Sequence, residues 1–300
     1  MSLAELVRPE ARVEDFFALL KPRVMSLVIF TGFAGLVVAP GPVHLMTAFC
    51  ALMCIAVGAG ASGALNMAYE ADLDRLMKRT ETRPVPRGVI ARGDALAFGW
   101  SLSVASVALM LLFVNELAAA LLAFTIFWYV GVYTLGLKRR TPQNIVIGGL
   151  SGAMPPAIGW AAVTGSLTWQ PLLLVALIFF WTPPHFWALS LFANADYARA
   201  GVPMLPVVRG KRSTRTHILF YALLLVPLGL TPYFVGLGGP LYLTAASVLG
   251  AVMLWRAVEV FRETDEAAEP AARRLFFVTI FYLFALFAAL IVERAVHAAL

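Results

Sequence analysis

At 300 residues and 61% hydrophobic side chains, with a mean hydropathy of +0.83, the chain is too apolar for a water-soluble globule. It reads as an all-α, polytopic membrane protein built as a single domain over residues 1–300. Its 23 Lys and Arg against 17 Asp and Glu leave a net charge of +6, which reports topology and an anionic ligand; no nucleic-acid recognition element accompanies it.

Residues 1–22 are mixed in charge and carry no basic region with a cleavage site, so a removed signal peptide is not expected and this stretch is assigned to the cytoplasm. Segments long enough for roughly 30 Å of hydrocarbon follow at Arg23–Val38, His44–Tyr69, Ala95–Val114, Leu117–Leu137, Asn144–Thr164, Trp169–Phe192, His217–Leu237, Leu241–Phe261 and Leu275–Val296, nine spans in all. Lys and Arg alternate between their connections. Ala39–Val43, Asn115–Glu116, Gly165–Thr168 and Gly238–Pro240 hold none, whereas Arg75 to Arg92, Lys138 to Arg140, Arg199 to Arg215 and Arg262 to Arg274 hold several, as do Arg8, Arg12 and Lys21 at the start. The positive-inside rule then places the N-terminus and every basic loop in the cytoplasm and the C-terminus outside, which requires an odd number of spans.

The second span holds Cys50 and Cys54 one helical turn apart, read as two small apolar side chains. It ends in a polar run from Asn66 to Arg83. Charges at a membrane boundary cost several kcal/mol unless paired or metal-bound, so acids there mark a functional-site hypothesis. Asn66, Glu70 and Asp74 fall at i, i+4 and i+8, a step of roughly 40° per four residues that puts three oxygen-bearing side chains on one helix face. Such a set suits Mg²⁺, which takes one or two carboxylates and shares its remaining shell with water and phosphate. Arg75, Lys78, Arg79 and Arg83 follow with the cationic donors a diphosphate requires. The competing reading is a solvated loop whose mixed charges satisfy one another. Against it, Asn66 and Glu70 are expected within the helix, and the acids precede the bases in order.

A rigid Arg83-Pro84-Val85-Pro86-Arg87-Gly88 turn closes this region. Farther along, Lys138-Arg139-Arg140 is either a topology anchor or a second clamp on the same phosphate. The fifth span contains Gly148-Gly149 and Pro155-Pro156, and the sixth contains Trp181-Thr182-Pro183-Pro184-His185-Phe186-Trp187; both are expected to break or kink at the prolines and border a cavity. Small residues permit close helix approach, which by itself accounts for the glycines. His185 is either a hydrogen-bonded core residue or a ligand for a metal or macrocycle. Asp196 is the one acid between Glu116 and Glu259. Its position past the sixth span, like that of Asn66–Asp74 past the second, hints at a duplicated helical unit.

These residues resemble those of the intramembrane, UbiA-type prenyltransferase superfamily, and within it the protohaem IX farnesyltransferases. The marks are Asn66-x-x-x-Glu70-x-Asp72-x-Asp74-Arg75-x-Met77-x-Arg79-Thr80 with Arg83-Pro84, Tyr133-Thr134-x-x-Leu137-Lys138-Arg139, Asn144 to Gly149, Trp181 to Leu189, and Asp196-Tyr197-x-Arg199 to Met204. The resemblance implies nine helices around a central cavity open to the cytoplasm, in a bacterial inner membrane. It implies transfer of farnesyl from farnesyl diphosphate to a vinyl group of haem B, with water adding a hydroxyl, to give haem O and diphosphate with Mg²⁺ as cofactor. Asn66, Glu70, Asp74 and Asp72 are then the expected catalytic residues, and Asn66, Glu70, Asp74 and Asp196 the expected metal ligands. Lys78, Arg79, Arg83, Lys138, Arg139 and His185 are the expected substrate contacts. Two departures stand out: Glu70 replaces the usual Asp, and neither Phe192 nor Asn194 supplies the second acid common near Asp196. In an unbroken helix Asp72 faces away from Glu70, so its role requires local unwinding. Haem A synthase is the pathway neighbour the resemblance names as partner, beside the lipid bilayer. Rival readings are prenylation of a quinone precursor or chlorin, and a non-catalytic haem carrier or transporter; the identity of the product separates all three.

Overall fold

The computed structural model describes residues 11–264 and 268–299; residues 1–10 of the expected cytoplasmic segment, with Arg8, lie outside them. The described residues form helices joined by short connections: α1 (Val13–Leu19), α2 (Pro22–Val38), α3 (Leu45–Tyr69), α4 (Ala71–Arg75), α5 (Arg92–Phe113), α6 (Glu116–Phe127) running into a π-helical segment (Trp128–Leu137), α7 (Asn144–Ala153), α8 (Pro155–Thr164), α9 (Trp169–Phe192), α10 (Asn194–Arg199), α11 (Leu205–Phe234), α12 (Pro240–Arg262) and α13 (Pro270–Ala299). A proline opens each of α2, α8, α12 and α13, where its missing N–H and fixed φ cost nothing. Of the described helices, 8 are long and apolar enough to cross a bilayer, counting α7 with α8 as one; α1 with α2, bent by 54°, makes up to 9.

Several expected boundaries move. The third span starts at Arg92, the seventh at Leu205 and the ninth at Pro270, because these helices run on past the apolar stretch into the basic connections. In α11 Gly210, with a φ of 79°, interrupts the helical backbone. The fifth span breaks as expected, between α7 and α8 at Met154. The sixth does not: α9 runs through Pro183 and Pro184 as one helix. The two prolines remove donors to the carbonyls one turn back but leave φ helical, and the Thr182 hydroxyl donates to Ile178 O at 2.9 Å beside them.

Close backbone contact sets the helix order. A Cβ at Gly35 would lie 2.1 Å from Pro156 O, and one at Gly159 2.1 Å from Gly32 O, so α2 and α8 meet backbone to backbone. The largest apolar cluster joins α2, α3, α5 to α9 and α11 to α13. Two smaller ones sit at the end that carries the basic connections. Leu19, Ala64, Met67, Val85, Ile90 and Ala95 tie α1 and the loop after α4 to α3 and α5. Leu73, Met77, Ile145, Tyr197, Val202 and Met204 tie α4 to α7 and α10, with Phe186 packed alongside.

Candidate active site

α3 ends at Tyr69, and Glu70 is its cap, with φ −106° and ψ 13°, rather than an interior helical residue. The break does not lose the four-residue stacking. Glu70 N–H donates to Asn66 O at 3.0 Å and Asp74 N–H to Glu70 O at 2.8 Å. Asn66, Glu70 and Asp74 consequently line the inner face, 3%, 1% and 1% exposed.

Each of these three side chains meets a cation from a different segment. Lys21 Nζ donates to Asn66 Oδ1 at 2.7 Å, Lys138 Nζ donates to Glu70 Oε2, and Arg83 Nη1 donates to Asp74 Oδ2 at 2.7 Å. Local folding explains every one. Gly60 and Gly63 of α3 leave room for the Leu19–Lys21 turn, which holds Lys21 in the left-handed region at φ 54°, a strain of roughly 1–2 kcal/mol for a residue with a Cβ. The π-helical segment shifts the register of its last turns: Thr134 Oγ1 donates to Tyr129 O, five residues back, at 2.8 Å and accepts from Asn66 Nδ2 at 3.0 Å. That register brings Lys138 to Glu70. π-helical interruptions of α-helices recur at functional sites; this one, at 10 residues, is longer than a single turn. Arg83 is returned to Asp74 by the turn whose Val89 N–H donates to Pro84 O at 3.0 Å and whose Pro86 O accepts from Arg75 Nε at 3.0 Å.

Lys21 and Thr134 were not among the expected site residues; Lys21 was counted only among the cations ahead of the span expected at Arg23. Other expected members lie apart. Asp72 does not join Glu70 and Asp74: it is 63% exposed and takes a fork from Arg139, at 2.8 Å and 2.7 Å. The Arg139 hydrogen bond holds its carboxyl below the usual range. The helix break at Glu70 is thus too slight to rotate Asp72 inward, and Arg139 is occupied on the outer surface. Lys78 and Arg79 are exposed at the rim. Asp196 pairs with Arg199 within α10. Hollows of about 290 Å³ and 430 Å³ open on the outer side of α4, both lined by Asp72 and Arg92 and neither by Asn66, Glu70 or Asp74.

The hinted duplication is visible in the backbone. α9 is capped by Ala193 at φ −101° and ψ 15°, close to the geometry of Glu70, and is followed by α10 as α3 is by α4. Polar groups are not duplicated with it. Asp74 stands four residues past its cap and Asp196 three past its own, a rotation of about 100° on a helix.

Hard oxygen donors are present for a divalent cation. Glu70 Oε1 is buried without a hydrogen-bond donor, and with Asn66 and Asp74 it supplies two carboxylates and an amide oxygen, a set that fits Mg²⁺ completed by phosphate oxygens. The larger set with Asp196 does not form: among the described residues no three His, Cys, Asp or Glu side chains converge.

His185 is buried on α9. Its ring stacks between Trp181, at 4.5 Å and 15°, and Phe276, at 4.6 Å and 20°, with Phe186 perpendicular at 5.2 Å.

Residues 27–291 match the model of the UbiA prenyltransferase family. Among curated proteins the chain is 59% identical over 285 residues to Protoheme IX farnesyltransferase 2 of Nitrobacter winogradskyi, covering 95% of this chain and 91% of that one. It is 56% identical to Protoheme IX farnesyltransferase of Caulobacter vibrioides, covering 94% and 91%. Among solved structures, a digeranylgeranylglyceryl phosphate synthase superposes with a TM-score of 0.76 at 18% identity, over 93% of this chain and 98% of that one. A UbiA homolog from Archaeoglobus fulgidus bound to GPP and Mg²⁺ superposes with a TM-score of 0.62 at 16% identity, over 93% and 99%.

Proposed function

The chain belongs to the UbiA prenyltransferase family, and from that premise we propose that it transfers farnesyl from farnesyl diphosphate to protohaem IX, giving haem O and diphosphate. Relatives named for that activity at 56% to 59% identity across nearly the whole chain support the haem half of this reading. The diphosphate half is carried by one observation: the buried Asn66–Glu70–Asp74 column with a separate cation on each member. Neither a quinone precursor nor a chlorin appears in the names of these relatives.

Asn66, Glu70 and Asp74 would hold Mg²⁺, which when bound neutralises charge on the departing diphosphate. Lys21, Arg83 and Lys138 already stand at this column, and they provide fixed positive charge where the allylic C–O bond breaks. Lys78 and Arg79 at the rim draw the anionic substrate inward. Asp72 and Arg139 close the outer side of the helix end by pairing with each other. The farnesyl cation produced must be kept from water until the vinyl carbon attacks it, so the tail lies along the apolar wall above the column. Carbon–carbon bond formation moves the positive charge to the adjacent vinyl carbon; water adds there and releases a proton. By the positive-inside rule the basic loops that carry the site face the cytoplasm in this reading.

Purified protein supplied with haem B, farnesyl diphosphate and Mg²⁺ is expected to yield haem O, identified by mass. Binding of both substrates without that product overturns the reading in favour of a carrier.

A further inference from the structure

We infer that the two hollows on the outer side of α4 form a second diphosphate site, separate from the acid column and held by arginines instead of metal, in which a diphosphate pauses beside the column on its way in or out. The inference rests on the proposed diphosphate chemistry but concerns other residues and another face of the helix end.

The hollows, of about 290 Å³ and 430 Å³, adjoin at Asp72 and Arg92, and the larger falls in the range of ligand sites. Arg75 lines the smaller and Arg139 the larger, so three guanidiniums gather round Asp72, the one acid among the lining residues. Asp72 takes both terminal nitrogens of Arg139, so the excess positive charge belongs to Arg75 and Arg92. Arg75 is held through Nε, which donates to Pro86 O at 3.0 Å; among the described residues its terminal nitrogens have no acceptor. Arg92 opens α5 between the two hollows and has neither a hydrogen bond nor a carboxylate among the described residues, only the Tyr69 ring at 6.0 Å. A planar guanidinium fork matches phosphate oxygens two at a time, and a diphosphate offers adjacent phosphoryl groups to two such forks. One carboxylate is too few oxygen donors to hold Mg²⁺ without help, so binding here is expected to need no metal. Thr134 joins this site to the column: it lines the larger hollow and accepts from Asn66 Nδ2 at 3.0 Å. One side chain thus separates the hollow from the first member of the column. Leu135, which also lines it, is half exposed and gives an isoprenoid tail an apolar edge.

The test titrates inorganic diphosphate, or farnesyl thiodiphosphate, into the full-length protein in detergent, with excess chelator or with Mg²⁺. With chelator, wild type and Asp74→Asn are each expected to bind one diphosphate per chain. Arg92→Gln is expected to weaken that binding about tenfold, and Asp72→Asn, which removes the competing carboxylate, to tighten it. Arg87→Gln, exposed on the same loop and lining neither hollow, is expected to change nothing. Tighter binding of the farnesyl compound than of inorganic diphosphate identifies the incoming lipid as the occupant; equal binding identifies the departing diphosphate. Absence of metal-independent binding, equal losses in Arg92→Gln and Arg87→Gln, or weaker binding in Asp72→Asn overturns the inference. If wild type binds a single diphosphate that requires both Mg²⁺ and Asp74, this inference alone fails. If the chelator-resistant site is present yet Mg²⁺ adds no second one, the proposed role of the column fails and the outer site stands.

Discussion

Glu70 and Asp74 are nearly inaccessible to water, and each is paired with one cation, Lys138 and Arg83 respectively. Removing one member of such a pair leaves an unmatched buried charge at a cost of about 3–5 kcal/mol, far more than the pair itself contributes. Lys138→Met is therefore expected to lower the unfolding midpoint markedly, and adding Glu70→Gln to recover most of that loss without restoring haem O formation. A double mutant that regains both would remove the two residues from the chemistry. Asp74→Asn retains the size of the side chain but not its charge; turnover is expected to fall about a hundredfold or more with the helical spectrum unchanged. Activity near wild type in a product assay would exclude Asp74 from the metal site. Asp72 provides the contrast. On the exposed rim its pair with Arg139 is worth about 0–1 kcal/mol, and Asp72→Asn is expected to leave both stability and the chemical step nearly intact.

At the level of elements, the helix ends beside the basic connections are shaped by interruptions, and the opposite ends by caps. Glu293 of α13 accepts from Gly239 N at 2.7 Å, Leu241 N at 3.2 Å and Tyr242 N at 2.9 Å, satisfying the orphan donors that open α12 while opposing its dipole. Glu293→Ala is expected to cost about 1–3 kcal/mol, read as a lower unfolding temperature with unchanged substrate affinity. The α2–α8 contact tolerates no side chain at Gly35 or Gly159. Gly159→Val is expected to abolish folded protein in detergent, judged by size-exclusion behaviour, while Gly152→Ala, whose Cβ meets nothing within 4 Å, is expected to be neutral. In α9, two prolines pass without a break because helical φ suits them; the same residue pair breaks the fifth span, where Pro155 begins a new helix at Met154.

Across the whole molecule, the alternation of basic and uncharged connections, with up to 9 spans, predicts that single cysteines placed in the Arg75–Arg92 and Lys138–Arg140 loops label from the cytoplasmic side and those in Gly165–Thr168 from the opposite side. Inverted labelling would overturn the assigned orientation. That pattern, the spans and the Asn66–Glu70–Asp74 stacking were legible in the sequence because each is local: hydropathy sums over adjacent residues, and a four-residue spacing sets its own helix face. Helix ends and the fate of the prolines were not, since how far a helix runs into a loop depends on what it packs against there. The partners of the site were decided by tertiary structure alone. Lys21 reaches Asn66 across 45 positions and Lys138 reaches Glu70 across 68, whereas Arg139 is turned outward to Asp72. Adjacent cations, Lys138 and Arg139, thus serve opposite sides of one helix end. No spacing rule separates them, because the division follows from the π-helical register and from which helices pack together.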